Sequence, residues 1–325
     1  MHAIVSYDGL PIADSLSLLD VLLPMPAPLA GDVLVRVEAV SVNPVDVRRR
    51  AGLTPAGIPT VLGVDAAGII ERVGSEVSSL EVGDPVFYAG DVARQGANAA
   101  YQVVDERLVA RRPASLSAAE AAALPLTAVT AAESLFDRFG LTEESTGTLL
   151  VVGGAGGVGS IMIQLAKELT GVRVVATASR EQSREWASRL GADAVLDHGE
   201  LTWLEDLAAD GVDFVFDPHA TAAVDTYVPI TRQDGHIIAL DEPGSDEPAP
   251  LRRKGIAWHR GLASLYAPDL GRRRQELERL AALVDAGRIR STLTEAIDDF
   301  SADGLRRAHA LVESGRMTGK VVVHR

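Results

Sequence analysis

Apolar and polar positions change rhythm once along this chain. Over roughly the first 110 residues, apolar residues come in short runs broken by turn formers. Segment 32–42, DVLVRVEAVSV, alternates around Val35-Arg36-Val37-Glu38, which predicts a half-buried strand. VLGVDAAGIIERVG (61–74) and VGDPVFYAG (82–90) are apolar runs punctuated by Gly-Asp and Pro turns. Pro44, Pro55 and Pro59 predict a loop region over 43–60 rather than a long helix. Near residue 115 the pattern becomes helical: SLSAAEAAALPLTAVTAAESLFDRFG (115–140) is rich in Ala and Leu. Ser117 and Glu120 have capping-box spacing, and Pro125 breaks the run. From 148 onward strands and helices alternate: TLLVVG, a helix from Val158 to about Thr170, VRVVATAS (172–179), a helix over 181–190, AVLD (194–197), VDFVFD (212–217) and HIIAL (236–240). Short connections between alternating elements imply a parallel, doubly wound sheet. RRQELERLAALVDAG (273–287) reads as an amphipathic helix stopped by Gly287, and KVVVH (320–324) as a final strand.

Inside the alternating half, Gly154-Ala155-Gly156-Gly157-Val158-Gly159 satisfies G-x-G-x-x-G between a predicted strand and a predicted helix. Gly154 is expected to permit the tight turn, Gly156 to let backbone amides approach a pyrophosphate, and Gly159 to let helix and strand pack closely. Gly157 and Val158 then open the helix, whose positive dipole end faces the phosphates. A site for NAD places an acid about 20 residues on, against the ribose 2′-hydroxyl. No acid lies at Val174–Ser179; the strand runs out through Thr177-Ala178-Ser179-Arg180, with Arg184 a turn further. A hydroxyl and guanidinium groups suit a 2′-phosphate, which favours NADP(H). Glu181 could instead pair with Arg184.

Composition narrows the chemistry. The 325 residues include no cysteine, which excludes disulfides, thiolate zinc sites, iron–sulfur clusters and cysteine nucleophiles. A net charge of −14 argues against nucleic acid or an anionic membrane as partner. The charge-free stretch Ser145–Ala166 is long enough for a bilayer, but its clustered glycines fit a phosphate-binding turn better. The start MHAIVSYDGL lacks a basic, apolar leader, so a soluble, cytoplasmic protein is expected. Arg252-Arg253-Lys254 and Arg272-Arg273-Arg274 read as solvated surface; Arg48-Arg49-Arg50 reads either as surface or as site lining, with Arg48 inward and the other two outward.

The segments SVNPVD (41–46), LGVDAAGIIERVGSEV (62–77), VGDPVFYAGD (82–91), EAAALPLTAVTAAESL (120–135), GGAGGVGSIMIQLAK (153–167), LGADAVLDH (190–198) and TGKVVV (318–323) together resemble the medium-chain dehydrogenase/reductase superfamily. The resemblance is to its zinc-free, quinone oxidoreductase-like branch, including the bacterial group labelled zinc-type alcohol dehydrogenase-like. It implies an α/β protein: a GroES-like β-barrel catalytic domain over 1–122 and 266–325, with a Rossmann domain for NADP(H) inserted at 123–265. It also implies an active site in the cleft, hydride transfer from NADPH to a quinone or an α,β-unsaturated carbonyl, and commonly a homodimer. Ser179 and Arg180 fall where the family contacts the adenosine 2′-phosphate, and His198 replaces a tyrosine often found there. The resemblance puts Thr127 on the helix approaching the nicotinamide, Asn43 and Asp46 in the Asn-x-x-Asp of the substrate loop, and Leu240 and the tail's Lys320 at the cofactor. Related quinone reductases often carry a tyrosine where this chain has Arg48.

Zinc-dependent relatives have a Cys in the loop matching 41–46 and Gly-His-Glu where this chain has Gly63-Val64-Asp65. Neither thiolate nor imidazole is present, and the seven histidines show no metal-ligand spacing. Asp46 and Asp65 are expected to cap turns or pair with an arginine. A zinc ion would stabilise an alkoxide; quinones and enones need less help, because the arriving charge spreads to a distant oxygen. Arg48, Asn43, Thr127 and Tyr88 are the candidate hydrogen-bond donors to that oxygen, although Tyr88 reads equally as a core tyrosine and the proton could come from water. Two alternatives stay open at this point: an alcohol dehydrogenase or ketone reductase of the same superfamily, and a non-catalytic NADPH-binding sensor.

Overall fold

A computed structural model describes residues 1–54, 57–197, 207, 210–218, 224–240, 249–261 and 270–325. The chain divides into two compact units, Met1–Val129 with Leu265–Arg325, and Thr130–Ser264.

The first unit is built on antiparallel strands, as the short apolar runs require. Strand β1 (His2–Ser6) pairs with β2 (Leu19–Leu22) and β4 (Thr60–Val61). The long strand β3 (Asp32–Ser41) is the centre of a larger sheet, pairing with β5 (Asp65–Val73), β7 (Tyr101–Asp105) and the C-terminal β16 (Lys320–His324). Strand β6 (Pro85–Ala89) joins β5 to β8 (Val109–Arg111), and β15 (Leu293–Asp298) runs parallel to β16. Val33, Val35, Val37, Tyr88, Leu305 and Val321 are buried in one core. The register sets Ser41 opposite both Asp65 and Val322, so three strands distant in sequence meet at the end of β3.

Helix α1 (Pro44–Ala51) corrects the expected loop over 43–60. Proline is tolerated at a helix's first position, where its missing N–H has no intrahelical partner to lose. The Asp46 carboxylate also turns back to accept from the Asn43 backbone N–H at 2.9 Å. Helix α2 (Ala118–Ala122) starts at the expected capping box: Ser117 N–H donates to Glu120 Oε2 at 2.8 Å, and Glu120 N–H to Ser117 Oγ at 3.3 Å. Pro125 does not merely interrupt the run but begins α3 (Pro125–Ala132).

The second unit carries β9 (Thr148–Val151), α4 (Gly157–Leu169), β10 (Arg173–Thr177), α5 (Glu181–Arg189), β11 (Ala194–Leu196), β12 (Val212–Asp217), α6 (Val224–Tyr227), β13 (Thr231–Ala239), α7 (Ala249–Lys254) and β14 (Ala257–Arg260). The six strands are parallel in the order β11-β10-β9-β12-β13-β14, the doubly wound order the alternating pattern predicts. Leu150, Val175, Val215 and Ile237 fill its core. Strand β13 starts earlier than expected, passing through Asp234, whose φ is 60°. Residues Ser145–Ala166 hold β9 and most of α4; among the described residues no helix is long and apolar enough to cross a membrane.

Helix α8 (Leu270–Asp285) is followed by Gly287 at φ 72°, the expected stop. Between 288 and 319, where the sequence pattern predicts no element, lie β15 and helix α9 (Ala302–Glu313). Helix α9 packs against α1, and its buried His309 lies near Arg50, which is itself only 2% exposed and bonded to Glu313. Within the arginine run, Arg50 is buried in the core, where the expected reading had it outward; Arg49 donates to the Val92 carbonyl at 2.6 Å, and Arg48 is exposed.

Burial, helped by the neighbouring Arg50 charge, pushes His309 down to about 3 from 6.5. Between those values the unfolded chain holds a proton that the folded chain does not, so stability is lost as pH falls through this window. The wild type should therefore lose up to about 5 kcal/mol relative to His309→Leu between pH 6.5 and 3. Urea denaturation of both proteins across that range measures the difference; a constant offset would refute it.

Candidate active site

In the second unit, the glycine loop links β9 to α4. Gly153 N–H donates to Thr177 Oγ1 at 3.1 Å and Gly154 N–H to the Thr177 carbonyl at 3.0 Å, which anchors the loop on the end of β10. The left-handed turn falls at Gly153 (φ 68°), which corrects the role expected of Gly154. Gly154 is instead required by β10: a Cβ there would lie 2.6 Å from that of Ala176. A Cβ on Gly159 would lie 2.6 Å from the Gly153 carbonyl oxygen and 2.7 Å from Gly154 Cα, so this glycine does allow close helix packing. Gly156 is the N-cap of α4, and with Gly157 and Val158 it remains partly accessible. The first N–H groups of such a helix have no intrahelical acceptor and converge with the dipole on any bound phosphate.

Beyond Thr177, Ser179 lies at the strand's exit and Arg180 is the exposed N-cap of α5. Arg184 is held back, donating to the Ser179 carbonyl at 3.0 Å and to Asp197 Oδ2 at 2.7 Å. Its carboxylate partner is thus Asp197 at the end of β11, not Glu181. Leu240 follows β13 and is half-buried, and His198 lies outside the described residues.

The first unit holds a buried polar network where β3 ends and β5 and β16 begin. Asn43, Asp46, Asp65 and Lys320 are all at most 4% exposed. The Lys320 ammonium donates to Asn43 Oδ1 and, at 3.1 Å, to the Val42 carbonyl, and stands 3.6 Å from Asp65 Oδ2. Asn43 Nδ2 donates to Asp65 Oδ2 at 2.8 Å, while Asp65 Oδ1 accepts from Leu126 N–H at 2.7 Å. Asp46 Oδ1 accepts from Gly63 N–H at 3.2 Å, opposite the bond to Asn43 N–H. Burial pushes the Asp46 carboxyl up to about 6; it also raises Asp65 and lowers Lys320, with their mutual attraction opposing both shifts. Asp65 therefore pairs with a lysine rather than an arginine. This network was hidden in the sequence except as the isolated Asn-x-x-Asp and Gly-Lys.

Two expected donors are engaged elsewhere. Tyr88 is fully buried, burial raises its hydroxyl, and that hydroxyl donates to Gln102 Oε1 at 2.8 Å; it is a core residue, not a substrate donor. Thr127 Oγ1 donates to the Leu124 carbonyl at 3.0 Å. Asn43 and Lys320 sit inside the network, so neither presents an open donor to solvent.

Among the described residues, no group of three or more His, Cys, Asp or Glu side chains could hold a metal ion. The donor set also does not fit zinc. The two carboxylates already accept N–H bonds, Val64 beside Asp65 offers no ligand atom, and an ammonium lies among the acceptors.

A doubly wound parallel sheet with a glycine-rich strand–helix loop, in a chain that also carries a mainly antiparallel unit, is a plan used by nicotinamide-linked oxidoreductases. The family described as alcohol dehydrogenase GroES-like domain matches residues 29–114, and that described as zinc-binding dehydrogenase matches residues 190–323. A zinc-type alcohol dehydrogenase-like protein of Staphylococcus epidermidis is 37% identical over 315 residues, covering 92% of each chain. An NADPH-dependent alkenal/one oxidoreductase of Arabidopsis thaliana is 34% identical over 302 residues, covering 90% of this chain and 72% of the relative. The crystal structure of a protein described as a zinc-dependent alcohol dehydrogenase from Rhizobium etli superposes with a TM-score of 0.92 at 41% identity, covering 100% of this chain and 98% of that one. The chain belongs to the medium-chain dehydrogenase/reductase superfamily, in its quinone oxidoreductase-like branch.

The contacts at Gly159 generate a direct test. Gly159→Ala forces the turn backbone apart, so it should cost about 1–3 kcal/mol of stability and weaken dinucleotide binding at least tenfold. Thermal denaturation and fluorescence titration with NADPH check both; unchanged binding would contradict the loop's assigned role.

Proposed function

We propose that this protein is an NADPH-dependent, metal-independent oxidoreductase that delivers hydride to a quinone or an α,β-unsaturated carbonyl. The observation carrying this reading is the donor set of the first unit: a Lys320 ammonium among Asn43, Asp46 and Asp65, with Val64 in place of a ligand. Such a set offers no Lewis acid to a simple ketone. A conjugated acceptor tolerates that lack, because the charge gained at carbon appears on an oxygen several bonds away.

The chain's own groups supply binding and orientation. The backbone N–H groups of Gly157 and Val158 at the start of α4 receive the pyrophosphate, while the Gly156 N–H holds the turn by donating to the Gly153 carbonyl at 2.8 Å, and Ser179 and the exposed Arg180 receive the 2′-phosphate. Because Thr177 ends β10, no carboxylate at that position repels the phosphate. NADPH, when bound, supplies the hydride. Since Tyr88 and Thr127 donate to Gln102 and Leu124, the proton that completes reduction is assigned to water. The likeness to the Arabidopsis enzyme supports both the cofactor and the acceptor class.

Oxidation of NADPH and NADH with a benzoquinone, a 2-alkenal, a cyclic enone and a plain aldehyde is the decisive measurement. Turnover should favour NADPH, proceed with the conjugated acceptors and be negligible with the aldehyde. Arg180→Glu should reduce the NADPH preference at least tenfold. Faster turnover with NADH, or stoichiometric zinc required for activity, would overturn the reading.

A further inference from the structure

We infer that Lys320 is a positioning residue: its ammonium is the buried cation of this polar network, and it fixes the Asn43–Asp65 relay that couples the start of α1 to the start of α3. The reading of the reaction above enters only through the turnover measurement.

Four segments remote in sequence meet at this point. Lys320 opens β16, Asn43 precedes α1, Asp65 opens β5, and Leu126 lies in the first turn of α3. Lys320 is bonded to Asn43 Oδ1, Asn43 Nδ2 to Asp65 Oδ2, and Asp65 Oδ1 to Leu126 N–H. Every side chain in the relay is buried, so water cannot substitute for a lost partner.

The direction of the relay depends on the ammonium. A lysine can only donate, so Asn43 must present its carbonyl oxygen to Lys320 and its amide hydrogens to Asp65. Reversing that amide would put N–H₂ against the ammonium and oxygen against the carboxylate. Charge enforces the same arrangement. Asp46 and Asp65 repel each other electrostatically, and Lys320 offsets both; Arg49 contributes only at Asp46. Removing the lysine leaves two buried carboxylates with no buried cation between them. The residue after Leu126 is Thr127, so a shift of the pinned N–H carries that side chain with it.

Lys320→Met removes the charge while keeping the stem's bulk, and Lys320→Met/Asp65→Asn removes cation and carboxylate together. In the double variant a reversed Asn43 amide can accept from the amide nitrogen introduced at position 65. The oxygen of that introduced amide then accepts from Leu126 N–H, which restores a neutral relay. Three readouts follow: the thermal midpoint between pH 5 and 9, the NADPH dissociation constant, and kcat and KM for the conjugated acceptor. Lys320→Met should lose thermal stability progressively as pH rises, because Asp65 must then ionise without a cation. It should bind NADPH within twofold of wild type and lose at least tenfold in kcat. The double variant should show no such added pH dependence and should recover kcat to within threefold of wild type. A Lys320→Met protein with the wild-type pH profile and kcat overturns the proposal. So does a double variant that fails to fold, or one that regains stability without kcat. Failure of the reaction reading is distinguishable, since neither wild type nor variants would then turn over any conjugated acceptor while the pH dependence of stability would still separate the two variants.

Discussion

One buried ammonium organises the first unit's polar interior. Lys320 comes from the last strand of the chain, yet it is bonded to Asn43, 277 positions earlier, and lies beside Asp65. Burying this many polar groups is unfavourable unless each finds a partner, and here the bonds and the opposite charges satisfy one another. The lysine neutralises carboxylates that would otherwise face each other in a low-dielectric interior.

A different constraint shapes the second unit. Its loop is governed by contact distance rather than charge: Gly154 is pressed against Ala176, and Gly159 against the turn itself. Any side chain at these two positions would separate helix from strand. Thr177 adds a hydroxyl and a carbonyl that hold the turn to the neighbouring strand. Steric exclusion and hydrogen bonding thus present free amides at the start of α4, while Arg184 is tied to Asp197 and Arg180 stays exposed.

Elements with a strong local signal were legible from the chain alone. VDFVFD and KVVVH are strands over the expected residues, the Ser117–Glu120 box caps α2, and Gly287 stops α8. Local signals failed where they competed. Pro44 has the chemistry of a helix breaker, but at the first helical position it costs nothing, and Asp46 completes the cap. Among the arginines, identical neighbours at 48, 49 and 50 gave no local reason to choose, and only the packing of α9 against α1 selected Arg50 for burial. Tyr88 was similarly undecided until Gln102 was placed opposite its hydroxyl.

By itself, the sequence determined the doubly wound sheet, the glycine loop and the lack of any thiolate, because periodicity, glycine spacing and composition are properties of neighbouring residues or of simple counts. Tertiary structure decided which polar side chains are open and which are engaged. Asn43, Tyr88, Thr127 and Lys320 all have the chemistry of site residues, but a hydrogen bond already made in the interior removes a donor as surely as a substitution would. Those partners come from segments brought together by strand register, and no local pattern encodes that the end of β3 meets the starts of β5 and β16.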